Sequence, residues 1–420
     1  MEDKVTVSTK KIKELSSRNF KYIVLLIFGV LTQVVSILQK PKEQISDSAN
    51  PFCNFYITKL NFLHVHLDCD AQYFLLDSQN PLRILNSQTP LQDRPLHTFV
   101  VFIASRILET LGIPEGPIVY LGDDGIPQTY NLLNYALFIA INTMILVISI
   151  ALVLRVMLSN QLLNTKNVLA ATVIALIVTV QNPVTREFFW TPHSQMFNIL
   201  VPCILFYMLQ SEFIVTKRNY LIILFAIALG LFMYPSFYII LPIFIVKCFR
   251  SLGWLRAVLS LLSLAPKLLW PTILGIFGTK YVDWPLTYHR RVIWIKDAYD
   301  QKILLSEISR HWAEFMHSLP ITWTLIFVIL IVMGVYSFAA SDKSNSLMQS
   351  KQLRDSFMVL GIYALGTFVN GAYGARFTTG LIILFGLLTL KVATRLTKTP
   401  KFWWIPYISI LFLNFFFWLV

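Results

Sequence analysis

The sequence predicts an all-α polytopic membrane protein of about eleven transmembrane helices. Three observations carry that prediction. Hydrophobic residues fill 56% of the 420 positions and charged residues only 14%, a balance typical of chains solvated by lipid. The apolar residues gather into runs, and about 20 helical residues cover a hydrocarbon layer. Lys and Arg, whose excess gives a net charge of +13, collect in short segments between the runs, and the basic segments fall on one side. That concentration makes the charge a matter of topology, so no nucleic-acid partner is expected.

Residues 1–21 carry Lys4, Lys10, Lys11, Lys13, Arg18 and Lys21 and form a cytoplasmic tail. The apolar run 22–38 is longer than a signal-peptide core. The nearest small-x-small site, Ser46-Asp47-Ser48, lies beyond Lys40, Lys42 and Glu43, so the run is expected to stay as an anchor helix. Further spans are expected at 131–154, 168–181, 196–211, 219–233, 236–248, 256–278, 320–338, 356–372, 376–392 and 402–420. Pro235 breaks the stretch 219–248. One kinked helix and two short spans are both open there; two spans keep Lys247 and Arg250 on the side of Lys217 and Arg218. All 420 residues make one integral membrane domain whose odd number of spans carries Val420 outside. The expected location is the plasma (inner) membrane.

Two large extracytoplasmic loops result. The first runs from 40 to 130, and long loops of this kind usually carry function. Within it, 97–113 is apolar but holds Arg106 and Glu109, which suits an amphipathic helix lying in the plane of the outer surface. The second covers 279–319 and is rich in Trp, Tyr and basic residues, the composition of a headgroup layer. Cys53 and Cys69 share the first loop and are candidates for a disulfide; Cys203 and Cys248 lie in or beside apolar runs, where Cys acts as a small hydrophobe.

The chemistry-bearing residues cluster outside the spans. Asp68-Cys69-Asp70 places two carboxylates two residues apart. In an extended segment they point the same way and could converge on a divalent cation (Mg or Mn), or one could serve as a general base. Capping and solvation of a loop is the alternative. Tyr73 lies three residues beyond Asp70, one turn if a helix begins there. In Gln92-Asp93-Arg94-Pro95-Leu96-His97, Pro95 suits a first helical turn. Arg94 at a helix N-terminus is electrostatically unfavoured, which hints at an anionic partner, against a simple pair with Asp93. The connection 182–195 offers Arg186, Glu187, His193 and Gln195 beside aromatic residues, a composition that suits a sugar or a headgroup. Arg376, in the hairpin 370–377, and the pair Arg290 and Arg291 beside His289 are candidate phosphate clamps; snorkelling or lipid contact is the alternative.

No phosphate loop, HExxH or GxSxG motif occurs. Acids are missing from the later spans, which counts against an ion-coupled transporter.

In this order and sidedness, the chain resembles the GT-C superfamily of polyprenol-dependent membrane glycosyltransferases. Asp70-Ala71-Gln72-Tyr73 is similar to their first-loop Asp, Asp68-Cys69-Asp70 to the D-x-D form of some members, Arg94-Pro95-Leu96-His97 to a Pro-containing element opening a surface helix, and Arg376-Phe377 to a late Arg-Tyr pair. Ala71 stands where an acid often follows the Asp, and Phe377 where Tyr is usual. The resemblance implies transfer of a sugar from a polyprenyl-phosphate donor to an extracytoplasmic glycan, lipid or protein acceptor, with inversion. Asp70 would be the base and Asp68 would orient the acceptor or hold a metal. Arg94, His97, Tyr73, His193, Arg290, Arg291 and Arg376 would contact substrate or donor phosphate. The competing expectation is a transporter of polyprenol-linked lipid or polysaccharide without catalysis.

Overall fold

The computed structural model describes residues 54–60, 63–85, 91–121, 127–159, 179–180, 182–209, 213–279, 294–318, 351–369, 380 and 384. These residues are mostly helical. The first corrections to an all-α reading are two small antiparallel ribbons. Strands β1 (Asn54–Leu60) and β2 (Leu63–Asp68) pair with Asn54 opposite Asp68.

Helix α1 (Cys69–Gln79) follows β2 directly. Ala71, Phe74, Leu75 and Ser78 are buried, the i, i+3, i+4, i+7 stripe of a helix with one packed face. A 3-10 turn at Pro81–Leu85 leads on to α2 (Pro95–Thr110), which has Pro95 at its first position as expected. Helix α2 buries His97, Val101 and Ser105, one residue per turn. It stops at Gly112 (φ +82°): the Ile113 N–H donates to Leu108 O and the Gly112 N–H to Glu109 O. This is a Schellman ending, in which a residue without Cβ takes the left-handed position.

Strands β3 (Pro117–Leu121) and β4 (Pro127–Asn131) form the second ribbon. The strands are too short for periodicity to announce them.

Helix α3 (Leu132–Ser159) is capped by Asn131, whose Oδ1 accepts from the Leu133 and Asn134 N–H groups at 2.8 and 3.3 Å. Helix α4 (Pro183–Phe188) is capped by Asn182 and leads through a 3-10 turn at Ser194–Met196 into α5 (Phe197–Met208). Helix α6 (Lys217–Met233) opens on a Thr216–Asn219 capping box. It ends at Tyr234, which is extended (φ −159°, ψ 136°) before Pro235. A 3-10 turn (Pro235–Ile239) then enters α7 (Ile240–Leu252). A Cβ on Gly230 would run into the Phe237 ring. In one continuous helix those residues would lie about 10 Å apart along the axis, so the chain folds back and 219–248 is two segments. Gly253 (φ +89°) turns the chain into α8 (Trp254–Leu259), which continues through a 3-10 turn into α9 (Ala265–Ile276). Among the described residues, three helical stretches are long and apolar enough to cross a membrane: Leu132–Val156, Pro235–Leu252 and Trp254–Ile276. They coincide with expected spans. Ser194–Met208 and Met358–Val369 are shorter apolar helices.

Helices α10 (Trp294–Asp300), α11 (Leu304–Ser318) and α12 (Lys351–Val369) complete the described fold. The Trp294 ring lies 3.9 Å from that of His311, and its indole N–H donates to Val369 O at 3.0 Å. The expected spans 22–38, 168–181, 320–338, 376–392 and 402–420 fall wholly or almost wholly outside the described residues. So do Arg290, Arg291, Arg376 and Cys53.

Among the described residues, two apolar cores organise the interior. The larger joins α3, α4, α5, α6, α7 and α12. The smaller holds Phe74, Leu75, Val101, Tyr130 and Phe138, and Ile141 and Trp190 pack against both. The candidate site lies where α1, α2 and the α4–α5 connection meet at this seam.

Candidate functional site

Asp70 sits in the first turn of α1. The extended geometry expected through Asp68 and Asp70 is corrected, because the strand ends at Asp68 and the helix begins at Cys69. Alternation by two therefore stops between the acids. Asp68 is placed as the last residue of β2; its side chain lies outside the described residues.

The carboxylate of Asp70 is half exposed, and its Oδ2 lies 3.2 Å from Nε2 of the buried His193. The other His193 nitrogen, Nδ1, accepts from the Gln195 backbone N–H at 3.1 Å. A backbone N–H can only donate, so Nδ1 holds the lone pair. In the neutral ring the proton is then on Nε2, and it is donated to Asp70. The rings of Phe74 and Phe188, each 5.0 Å away, flank the imidazole.

Helix α3 braces the connection that carries His193. Asn142 Nδ2 lies 3.0–3.1 Å from the carbonyls of Phe188, Phe189 and Thr191, and Tyr135 donates to Trp190 O at 2.7 Å. These contacts hold a non-helical turn whose carbonyls have no ladder to join.

Arg94 is the N-cap of α2 and makes no capping bond through its side chain. Its guanidinium instead donates to Ser194 Oγ at 2.9 Å and to Asp93 Oδ1 at 3.3 Å, and lies over the Tyr234 ring at 5.8 Å. Burial alone would lower its pKa. Asp93, Tyr234 and Asp70 outweigh that and hold it above its ordinary value. Tyr234 is fixed in turn, donating to Gln195 Oε1 at 2.8 Å and accepting from Asn198 at 2.9 Å. The α6–α7 break thus supplies one wall of the site.

Lys267, on α9, donates to the carbonyl of Asp93, and Trp270 donates to Gln92 O at 2.7 Å. Together they tie the turn before Arg94 to the Trp254–Ile276 stretch. Sequence reasoning missed Lys267 and treated Tyr234 only as a helix break. The signal for Lys267 was there, since a lone ammonium inside an apolar run is a functional pointer by default.

Of the expected site residues, the fold brings Asp70, Arg94 and His193 together. Tyr73 lies one turn after Asp70 and packs against the smaller core. The expected role of His97 as a phosphate contact is corrected. His97 is fully buried among Phe74, Phe138 and Phe197, with ring centroids 5.1–5.8 Å away. Burial first, then the neighbouring His193 and Arg94, bring its pKa down to about 3. A neutral, enclosed imidazole offers a phosphate no charge.

Asp70 accepts from the His193 imidazole N–H, and its charge acts on the Arg94 guanidinium. A donated N–H and a nearby positive charge both compete with a cation, so this side of the carboxylate fits a divalent metal poorly. Among the described residues no group of three or more His, Cys, Asp or Glu could hold a metal ion. The arrangement can instead accept a proton at Asp70 and neutralise an anion at Arg94. No protein-family model, curated protein or solved structure matches this chain.

Proposed function

We propose that the protein is a membrane glycosyltransferase that moves a sugar from a polyprenyl phosphate to an extracytoplasmic acceptor. The observation that carries this reading is the meeting of Asp70, His193 and Arg94 at the seam of α1, α2 and the α4–α5 connection. It is supported by three helical stretches apolar enough to cross a bilayer, by the charge pattern of the loops, and by the resemblance to GT-C enzymes.

The acceptor hydroxyl gives its proton to Asp70 as its oxygen attacks the anomeric carbon. The bond from that carbon to the phosphate oxygen breaks, the electron pair leaves with the polyprenyl phosphate, and the configuration inverts. His193 holds the Asp70 carboxylate in one orientation, which favours a fixed line of approach. Arg94 stabilises the charge that grows on the leaving phosphate. Arg290, Arg291 and Arg376 remain proposed partners for the same phosphate. Asp70 faces the outside of the plasma (inner) membrane in this reading, with residues 1–21 cytoplasmic.

In proteoliposomes supplied with lipid-linked sugars, Asp70→Asn should lose transfer by about 10²–10⁴-fold while the protein stays folded. Retained transfer would remove Asp70 from the mechanism. One observation favours a second reading, transport without chemistry: Lys267 lies within an apolar stretch, where transporters keep charged groups. Transport would survive Asp70→Asn and fail in Lys267→Met.

A further inference from the structure

Helices α1 and α2 both begin at the candidate site, and both end at a cavity of about 350 Å³. Its lining includes Ser78, Ser105, Arg106, Glu109, Glu115 and Asn134. Ser78 lies on α1 beyond Asp70 by about 12 Å of helix rise.

Two polar atoms here lack a hydrogen-bond partner among the described residues, Asn134 Oδ1 and Glu109 Oε1. Asn134 is 1% exposed. Its orientation is set by its neighbour: Ser78 gives its only hydroxyl proton to Leu75 O at 2.8 Å, so it must accept from Asn134 Nδ2, 3.1 Å away. The carbonyl end of the Asn134 amide is thereby left as an acceptor without a donor. A buried acceptor in that state costs about 1–3 kcal/mol unless something donates to it.

The lining also says what that donor is. Glu109 and Glu115 share a hydrogen bond, which, ahead of burial and the Glu109 charge, raises the Glu115 pKa. Two carboxyl groups in contact repel an anion. Arg106, 2.6 Å from Glu109 and 3.7 Å from Glu115, already supplies the positive charge and opposes a cation. An apolar ligand would leave both acceptors unpaired. Neutral hydroxyl groups meet every condition: they donate to Asn134 and Glu109, accept from Arg106, and carry no charge.

We propose that this cavity binds a neutral oligosaccharide, the non-reacting body of the acceptor glycan. The idea that its reactive end lies at Asp70 rests on the transferase reading; the binding itself does not.

The test is binding of the full chain in lipid nanodiscs to an array of neutral glucan, mannan, galactan and arabinan oligosaccharides, with uronic-acid and amino-sugar oligosaccharides alongside. The expected result is retention of at least one neutral class and neither charged class. Asn134→Leu should weaken retention about tenfold or more. Glu115→Ala, at a half-exposed position, should weaken it in the same direction. Asp70→Asn should bind as the unaltered protein does, so a failure of catalysis and a failure of this site are told apart. Retention of no neutral class, or retention unchanged in Glu115→Ala, overturns the proposal.

Discussion

The two ends of the α1–α2 pair are built on opposite principles. At the Asp70 end, polar groups are paired with one another. His193 is fixed in one tautomer by Gln195, and Arg94 is shared among Ser194, Asp93 and the Tyr234 ring. One half-exposed carboxylate is presented from that braced frame. At the cavity end, Asn134 and Glu109 each keep an acceptor without a donor among the described residues. Preorganised, satisfied groups suit chemistry, because they cost no rearrangement when charge develops. Unsatisfied acceptors suit binding, because a ligand recovers their desolvation cost. In the proposed reading the same two helices carry a site for reaction at one end and a site for recognition at the other.

Changes at the Asp70 end should damage turnover and leave glycan retention alone. The largest effect after loss of the proposed base is expected from Arg94→Gln, which removes the buried cation proposed to face the leaving phosphate. Transfer should fall by about 10²–10³-fold, measured as turnover at saturating donor. An unchanged rate would take Arg94 out of the reaction. His193→Ala should cost about 10²-fold by releasing the carboxylate from its orientation. His193→Gln, which can return an N–H toward Asp70, should recover part of that loss. Equal rates in the two variants would contradict a positioning role.

Gly230→Ala probes the fold-back that places Tyr234. An added Cβ meets the Phe237 ring, and overpacking of this kind costs about 1–3 kcal/mol. A lower melting temperature and slower transfer are expected with glycan retention intact; an unshifted melting temperature would contradict the close contact.

A further effect is one of pH. The His97 pKa is about 3 in the fold against an ordinary value of 6.5. The unfolded chain therefore takes up a proton at this position below pH 6.5, and the folded chain does not. The stability contribution is complete above pH 6.5 and is lost as pH falls toward 3, by about 1.4 kcal/mol per pH unit. His97→Leu should flatten that acid limb in a denaturation series from pH 7 to pH 4. An unaltered slope would contradict a neutral, enclosed His97.

Parts of this arrangement are legible in the chain itself. Leu132–Val156 announces a span through unbroken apolar length. Pro95 marks the start of α2 because its ring fits only a first turn, and Tyr234-Pro235 marks a break for the same backbone reason. Asp70, Arg94 and His193 stand out as polar residues at the edges of apolar runs. Their meeting is not legible, since Asp70 and His193 are far apart in sequence and are joined by a fold that Asn142 and Tyr135 brace from α3. The ribbons escape because five to seven residues are too few for a period. Lys267 escapes when attention rests on acids alone. His97 looks like a ligand beside Arg94, yet it falls on the buried stripe with Val101 and Ser105. Helical spacing outweighs its proximity to a charged residue.

The central claim, that one end of α1–α2 reacts and the other binds, is tested most directly by Asp70→Asn read two ways on one nanodisc preparation: sugar transfer from lipid-linked donors, and retention of neutral oligosaccharides. The account predicts transfer reduced by about 10²–10⁴-fold with retention equal to that of the unaltered protein. Transfer at the unaltered rate, or loss of retention together with transfer, would contradict it.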